Sequence, residues 1–149
     1  MSTVFLNGSF TNSDQATVGA FDAGLQHGVG LFETLLAVRT PAGEMHVVHL
    51  DEHLQRLSRS AIELKLSEHL RVNALAEAVR RTVERAAEEQ PGTSRFRVRL
   101  TITGGDLNLL ASARAGGESR EHAPTLLIHA QPAAEYPAEM FSRGVLVTL

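Results

Sequence analysis

The chain has 149 residues, of which 43% are hydrophobic and 21% charged, a formal net charge of -3 and no cysteine. This size and composition fit one ordinary globular domain, with little length left for a second. The charge gives no global attraction to nucleic acid or to an anionic membrane, and the lack of cysteine excludes disulfides, thiolate metal sites and a cysteine nucleophile.

No apolar run approaches the roughly 20 residues that a membrane-spanning helix requires. The first eight residues, MSTVFLNG, have neither a basic start nor a long apolar core, so no signal peptide is predicted. We therefore expect a cytoplasmic protein that binds neither membrane nor nucleic acid.

The first fifty residues alternate short apolar runs with turn residues, which predicts two hairpins. Val4–Leu6 precedes Asn7–Gly8, a pair that accepts the positive φ angles of a type I′ turn. Residues 31–38 read as a largely buried strand that follows a glycine-containing segment. After turn chemistry at 41–43, a further strand is predicted over 45–50.

From Asp51 the apolar period becomes helical, and Asp51 is the predicted N-cap. The apolar stripe of this first helix is Leu50, Leu54, Leu57, Ala61 and Leu64. A second helix is predicted to begin after Ser67 or Asn73. It should end near Glu89, because Pro91–Gly92 stops a helix.

Strict alternation at 95–102 predicts a two-faced strand, and 125–130 reads as another. Residues 131–142 contain two prolines and read as a linker, after which 144–149 should begin a new strand. The domain assignment is therefore 1–130 as an α+β domain.

Residues 131–149 are assigned to an interdomain linker and the first strand of a further, C-terminal domain. Hairpins followed by helices and then more strands predict the class α+β, with a mainly antiparallel sheet and two main helices.

Three segments resemble one enzyme family: DAGLQHGVGLFET at 22–34, LDEHLQRL at 50–57 and RVRLTITGG at 97–105. Together they resemble the N-terminal half of the fold-type IV (class IV) pyridoxal-phosphate enzymes. That family includes branched-chain aminotransferases, D-amino acid aminotransferases and 4-amino-4-deoxychorismate lyases. The resemblance implies pyridoxal 5′-phosphate as cofactor, bound between two domains, and a homodimer whose first domain contributes to the partner's site.

Arg56 is the candidate cofactor-binding residue. A guanidinium presents paired planar donors that match phosphate oxygens, although a solvated helix residue is the ordinary interpretation of such an arginine. The resemblance assigns the arginine of Glu-His-x-x-Arg-Leu at 52–57 to the cofactor phosphate.

The candidate substrate-pocket residues are His27, Phe32, Glu33 and Arg99. A glutamate beside an apolar run is costly to bury unpaired, so Glu33 should meet a cation or hydrogen-bond donors. Phe32 alone reads as a core aromatic and Arg99 as part of a solvent-facing basic stripe. By resemblance, Phe32 walls the pocket and Arg99 helps to bind the substrate carboxylate. We expect Arg56 and the Phe32–Glu33 pair to border one cleft.

Two departures from the family pattern bear on the substrate. His27 stands where branched-chain enzymes carry an aromatic that reaches the neighbouring subunit's pocket, and a packing or surface role is the alternative. Gly104 stands where D-amino acid aminotransferases place a carboxylate-binding arginine, which counts against D-amino acid specificity. His46 and His49 point to opposite sides of a predicted strand, so no metal site is predicted.

The family's Schiff-base lysine lies in the second domain, beyond the position of Leu149. Lys65 is the only lysine here, and a cation near a helix end complements the helix dipole. We therefore expect no catalytic residue in this chain and no transamination by it alone. It would be part of a longer enzyme, half of a split enzyme or a non-catalytic binding module.

The resemblance implies amino-group transfer between an amino acid, with branched-chain amino acids among the candidates, and a 2-oxo acid. The alternative enzyme is 4-amino-4-deoxychorismate lyase, which uses the same cofactor to eliminate pyruvate. These segments do not separate the two.

Overall fold

The computed structural model describes residues 2–107 and 124–147, which contain six strands and four helices. The strands are β1 (Thr3–Leu6), β2 (Ser9–Asn12), β3 (Gly30–Arg39), β4 (Met45–Val47), β5 (Arg95–Thr103) and β6 (Leu126–Pro132). The helices are α1 (Ala23–His27), α2 (Leu50–Glu63), α3 (Val72–Glu89) and α4 (Ala138–Arg143).

All six strands form one antiparallel sheet in the order β2-β1-β6-β5-β3-β4. The longest pairing joins β3 to β5, where Gly30 lies opposite Thr103 and Val38 opposite Arg95. The predicted class, α+β with a mainly antiparallel sheet and two main helices, is confirmed.

Helices α2 and α3 cover one face of the sheet, and the hydrophobic core lies between these helices and the sheet. Because strand side chains alternate, β5 sends Phe96, Val98, Leu100 and Ile102 into this core, where each is at most 1% exposed. The residues between them point to the opposite face, which we call the open face. The main helix contacts of the sheet come from α2 and α3, on the core side.

The first hairpin forms as predicted. Asn7 and Gly8 connect β1 to β2 with φ angles of 48° and 94°. Two consecutive positive φ values match a type I′ turn, whose twist suits antiparallel strands. This turn lies close to the start of β6, because the side chain of Asn7 accepts a hydrogen bond from the backbone N–H of Leu126 at 2.8 Å.

The structure adds one helix and corrects the start of another. The sequence pattern assigned no element to 23–27, where α1 forms. Helix α2 begins at Leu50 rather than after Asp51, because β4 ends at Val47 and the chain turns at His49 with φ 52°. Asp51 therefore lies within the first turn of α2, where its charge still complements the helix dipole.

The carboxyl-terminal part also differs from the prediction. Strand β6 extends to Pro132, and α4 occupies Ala138–Arg143, five of whose six residues lie in the segment predicted as a linker. Residues 144–147 are in no strand, and 148–149 lie outside the described residues, so the strand predicted there stays a prediction. Every residue of α4 is exposed.

Candidate active site

Glu33 is a buried carboxylate at the junction of the sheet and α2. Its residue is 6% exposed, on the face of β3 that α2 covers. Arg56 Nε donates to Glu33 Oε1 at 2.8 Å and Nη2 donates to Oε2 at 2.5 Å. His53 Nδ1 lies 2.7 Å from Oε2. Glu33 thus meets the cation and the donors that its burial requires.

The position of one proton in this cluster follows from the contacts. An ionised carboxylate only accepts hydrogen bonds, so a 2.7 Å contact between Glu33 Oε2 and His53 Nδ1 requires the proton on Nδ1. Arg56 Nη2 lies 3.0 Å from the same Nδ1. That approach follows from both groups donating to one oxygen.

The charge of Glu33 is stabilised by these partners. Burial by itself would raise the pKa of the Glu33 carboxyl, but the hydrogen bonds and charges of Arg56 and His53 outweigh it and lower the pKa below its ordinary value. The same pairing raises the pKa of Arg56. The cluster is therefore a charged pair near neutral pH.

Arg56 remains accessible although it is paired. Its side chain is 59% exposed, whereas that of Glu33 is 7% exposed. Among the described residues, its hydrogen bonds use Nε and Nη2, so the outer N–H groups, including those of Nη1, can donate to an anion. This donor set fits a phosphate group, whose oxygens accept paired hydrogen bonds from a guanidinium.

Phe32 points the other way. It is 57% exposed on the open face, where Arg99 Cζ lies 3.7 Å from the centroid of its ring. Neighbouring residues of a strand point to opposite sides, so Phe32 and Glu33 cannot line one surface. The single cleft expected for Arg56 and the Phe32–Glu33 pair is thus divided between two faces of the sheet.

The remaining pocket candidate, His27, is the exposed last residue of α1. The helix begins at the N-cap Asp22 and ends at Gly28, whose φ of 67° suits glycine. Helix α1 lies beside the end of β5, since Ala23 N–H donates to the carbonyl of Gly105 at 2.7 Å. His27 is thereby held at the end of the sheet where β3 begins.

Asp22 is a buried carboxylate that the sequence pattern did not single out. The residue is 2% exposed. It accepts hydrogen bonds from Gly24 N–H at 2.8 Å, Thr103 Oγ1 at 2.8 Å and Thr125 Oγ1 at 2.7 Å. Burial alone would raise the pKa of Asp22, and these bonds lower it instead. An Asp placed two residues before a glycine, at the start of a short helical run, was the available signal.

His129 lies on the open face opposite Arg99, in the register of β5 and β6. Burial lowers the pKa of His129, and the charges of Arg97 and Arg99 lower it further. Its Nδ1 is buried without a hydrogen-bond partner among the described residues. Neutral histidine is therefore favoured there, and the positive charge of this face comes from the arginines.

Lys65 is exposed just past the end of α2, with a φ of 55°. The sequence predicted it at the helix end, but it follows the C-cap Leu64, and the last turn of α2 holds no basic residue. Within 2–107 and 124–147, no group of three or more His, Asp or Glu side chains is arranged to hold a metal ion. None of the described helices is both long and apolar enough to cross a bilayer.

Known proteins resemble this chain in sequence and in fold. The sequence model of the family described as Amino-transferase class IV matches residues 30–147. A D-alanine aminotransferase from Staphylococcus epidermidis is 36% identical over 84 residues, which cover 56% of this chain and 28% of that protein.

Two solved structures show the shared fold. The branched-chain amino acid aminotransferase of Escherichia coli superposes with a TM-score of 0.74 at 22% identity, over 93% of this chain and 42% of that one. The branched-chain aminotransferase of the thermophilic archaeon Thermoproteus uzoniensis, solved with norvaline, gives 0.70 at 23% identity, over 92% and 42%. The chain thus spans less than half the length of each of these relatives.

Proposed function

Because the chain belongs to the class IV aminotransferase family, we propose that it forms the first domain of a pyridoxal-phosphate-dependent enzyme. The complete enzyme would transfer an amino group between an amino acid and a 2-oxo acid. One observation carries the proposal: Arg56, in the family's arginine motif, is oriented by a buried carboxylate yet remains 59% exposed in its side chain.

The residues of this domain would bind and orient, while the cofactor when bound supplies the electron sink for the chemistry at the amino acid's α-carbon. Arg56 would hold the phosphate through charge-assisted hydrogen bonds. Arg99 would accept the substrate carboxylate, and Phe32 would form an apolar wall beside it. His27 would reach the site from the end of α1, in its own subunit or in the partner of a homodimer.

Arg56 offers the direct test of the cofactor assignment. Arg56→Ala in the complete protein should weaken pyridoxal 5′-phosphate binding by about 2 kcal/mol, roughly 30-fold, since hydrogen bonds to charged groups contribute about that much. Absorbance titration of the apoprotein measures this. Arg59→Ala removes an exposed arginine from the same helix and should leave the affinity unchanged. Equal affinities of wild type and Arg56→Ala would refute the assignment.

We propose that the Schiff-base lysine belongs to a second domain and that this chain alone does not transaminate. Borohydride reduction converts such an imine into a stable secondary amine, so peptide mapping of the reduced complete protein identifies the lysine. The expected label lies outside residues 1–149. A label on Lys65 would contradict the proposal.

The substrate has two candidates. The fold match to branched-chain aminotransferases favours branched-chain L-amino acids, and Gly104 in place of an arginine agrees with this. The 36% identity to a D-alanine aminotransferase over 84 residues favours D-alanine. Assays of the complete protein with 2-oxoglutarate and either L-leucine or D-alanine separate these candidates by which donor gives the larger kcat/KM.

The remaining alternatives give different results in the same material. A 4-amino-4-deoxychorismate lyase would release pyruvate from aminodeoxychorismate without a 2-oxo acid. A non-catalytic module would stay colourless after reconstitution with pyridoxal 5′-phosphate. We further propose a cytoplasmic location and a homodimer, which cell fractionation and analytical ultracentrifugation would test.

A further inference from the structure

We propose that Glu33 and His53 are positioning residues for Arg56, which hold its guanidinium ready for the cofactor phosphate, and that Glu33 does not line the substrate pocket. This inference rests on the proposed function, because it concerns how the phosphate site is prepared. The sequence pattern assigned Glu33 to the substrate pocket. Its side chain instead lies on the helix-covered face of the sheet, where it contacts α2.

The two hydrogen bonds from Arg56 fix the plane of its guanidinium. Nε and Nη2 form one edge of the group, and each donates to a different oxygen of Glu33, at 2.8 Å and 2.5 Å. A paired contact of this kind restrains both the position and the rotation of the planar group. The opposite edge, which carries Nη1, is then the edge left for an anion.

Glu33 is itself held rigidly, so it can orient Arg56. It lies within β3 opposite Leu100 of β5, and its residue is only 6% exposed. Arg56 is a long, largely exposed side chain whose many rotamers would otherwise have to be restricted when the ligand binds. Restricting them beforehand increases affinity, because less conformational entropy is lost on binding.

His53 restrains the carboxylate in turn. It lies three residues before Arg56, so both side chains leave the same side of α2. Its Nδ1–H donates to Oε2, the oxygen that also accepts from Arg56 Nη2. A rotation of the carboxylate would break both bonds, and His53 therefore opposes it.

If Glu33 acted on the phosphate only through its charge, removing it would have the opposite effect on cofactor affinity. A carboxylate near a phosphate site repels the phosphate and neutralises its arginine, so removing the charge should strengthen binding if Glu33 only contributes charge. If Glu33 acts by positioning Arg56, removing the charge should weaken binding. The sign of the change in affinity separates the two roles.

The experiment compares Glu33→Gln with Glu52→Gln in the complete protein. Both variants remove one carboxylate near the start of α2, but Glu52 is exposed and faces His49 at 3.6 Å. We expect Glu33→Gln to bind pyridoxal 5′-phosphate about 10-fold more weakly, the lower end of what loss of a ligand-orienting partner causes in metal sites. Glu52→Gln should bind as wild type does, and the affinity for pyridoxal, which lacks the phosphate, should not change in either variant.

Unchanged or tighter cofactor binding by folded Glu33→Gln would overturn the inference, as would an equal loss of affinity for pyridoxal. If Glu33→Gln does not fold, variants of His53 provide the test. His53→Ala should weaken cofactor binding. His53→Asn, which retains an N–H near the position of Nδ1, should restore most of the affinity. Equal affinities of these two variants would also overturn it. A wild-type protein that binds no cofactor would instead reject the proposed function.

Discussion

The guanidinium of Arg99 lies over the ring of Phe32, with Cζ 3.7 Å from the ring centroid. The two residues lie on neighbouring strands but are not directly opposite, since Phe32 pairs with Thr101 and Arg99 with Thr34. They are thus diagonal neighbours on the open face. A cation–π contact at this exposure contributes about 0.5–1 kcal/mol, enough to bias where the guanidinium lies.

Phe32→Leu should therefore release Arg99 without unfolding the domain. In the complete enzyme, we expect KM for the amino acid to rise about 5-fold, because about 1 kcal/mol of orientation is lost, while kcat changes less. The matched control is Phe10→Leu, since Phe10 also contacts an arginine, with Arg85 Cζ 4.3 Å from its centroid. That contact involves β2 and α3, so KM should be unchanged. Similar KM values for all three proteins would contradict this role of Phe32.

Asp22 should be important for stability. Asp22→Ala leaves the hydroxyls of Thr103 and Thr125 and the N–H of Gly24 without their acceptor. Leaving these partly buried donors unpaired, and removing a buried carboxylate, should lower the free energy of unfolding by about 3 kcal/mol, measurable by urea denaturation. Asp14→Ala removes an exposed aspartate from the preceding segment and should change it by less than about 0.5 kcal/mol. Equal stabilities of the two variants would show that the Asp22 contacts are energetically neutral.

Gly24 has no room for a side chain. A Cβ added there would lie 2.5 Å from Thr103 Cγ2, whereas one added at Gly92 would meet nothing within 4 Å. We expect Gly24→Ala to destabilise the fold by about 1–3 kcal/mol through overpacking, and Gly92→Ala to have little effect on the melting temperature. Combining Gly24→Ala with Thr103→Ser, which removes Cγ2 but keeps the hydroxyl for Asp22, should recover part of the loss. If the double variant recovers no stability, the clash at Gly24→Ala involves atoms other than Thr103 Cγ2.

Acid should destabilise the domain through its two buried carboxylates. The folded-state pKa values of Asp22 and Glu33 are lowered, so the unfolded state binds more protons wherever the pH lies near or below the ordinary values of about 3.9 and 4.3. The stabilisation is complete above about pH 5 and is lost as the pH falls through the lowered pKa values.

Urea denaturation across this range tests the assignment. Asp22→Asn should be less stable at neutral pH but should lose less stability on acidification than wild type does. The exposed Asp14→Asn should keep the wild-type pH dependence. An unchanged pH dependence in Asp22→Asn would mean that other groups cause the acid sensitivity.

Local spacing in the sequence determined much of the fold and of the candidate site. The helical period predicted α2 and α3, and Asn7–Gly8 predicted the first turn, because φ preference and amphipathic spacing act over a few residues. The arginine motif singled out Arg56 as the candidate cofactor-binding residue. Strand alternation within 30–39 already implied that Phe32 and Glu33 face opposite sides, although the adjacent pair was assigned to one cleft.

Contacts between distant residues were decided by the tertiary structure alone. Glu33 is 20 residues from His53 and 23 from Arg56, and Asp22 is 81 and 103 residues from Thr103 and Thr125. No spacing rule reaches that far, because these contacts depend on the register of β3, β5 and β6 and on how α2 packs against the sheet. A buried carboxylate must find donors, and only the folded chain determines which side chains provide them.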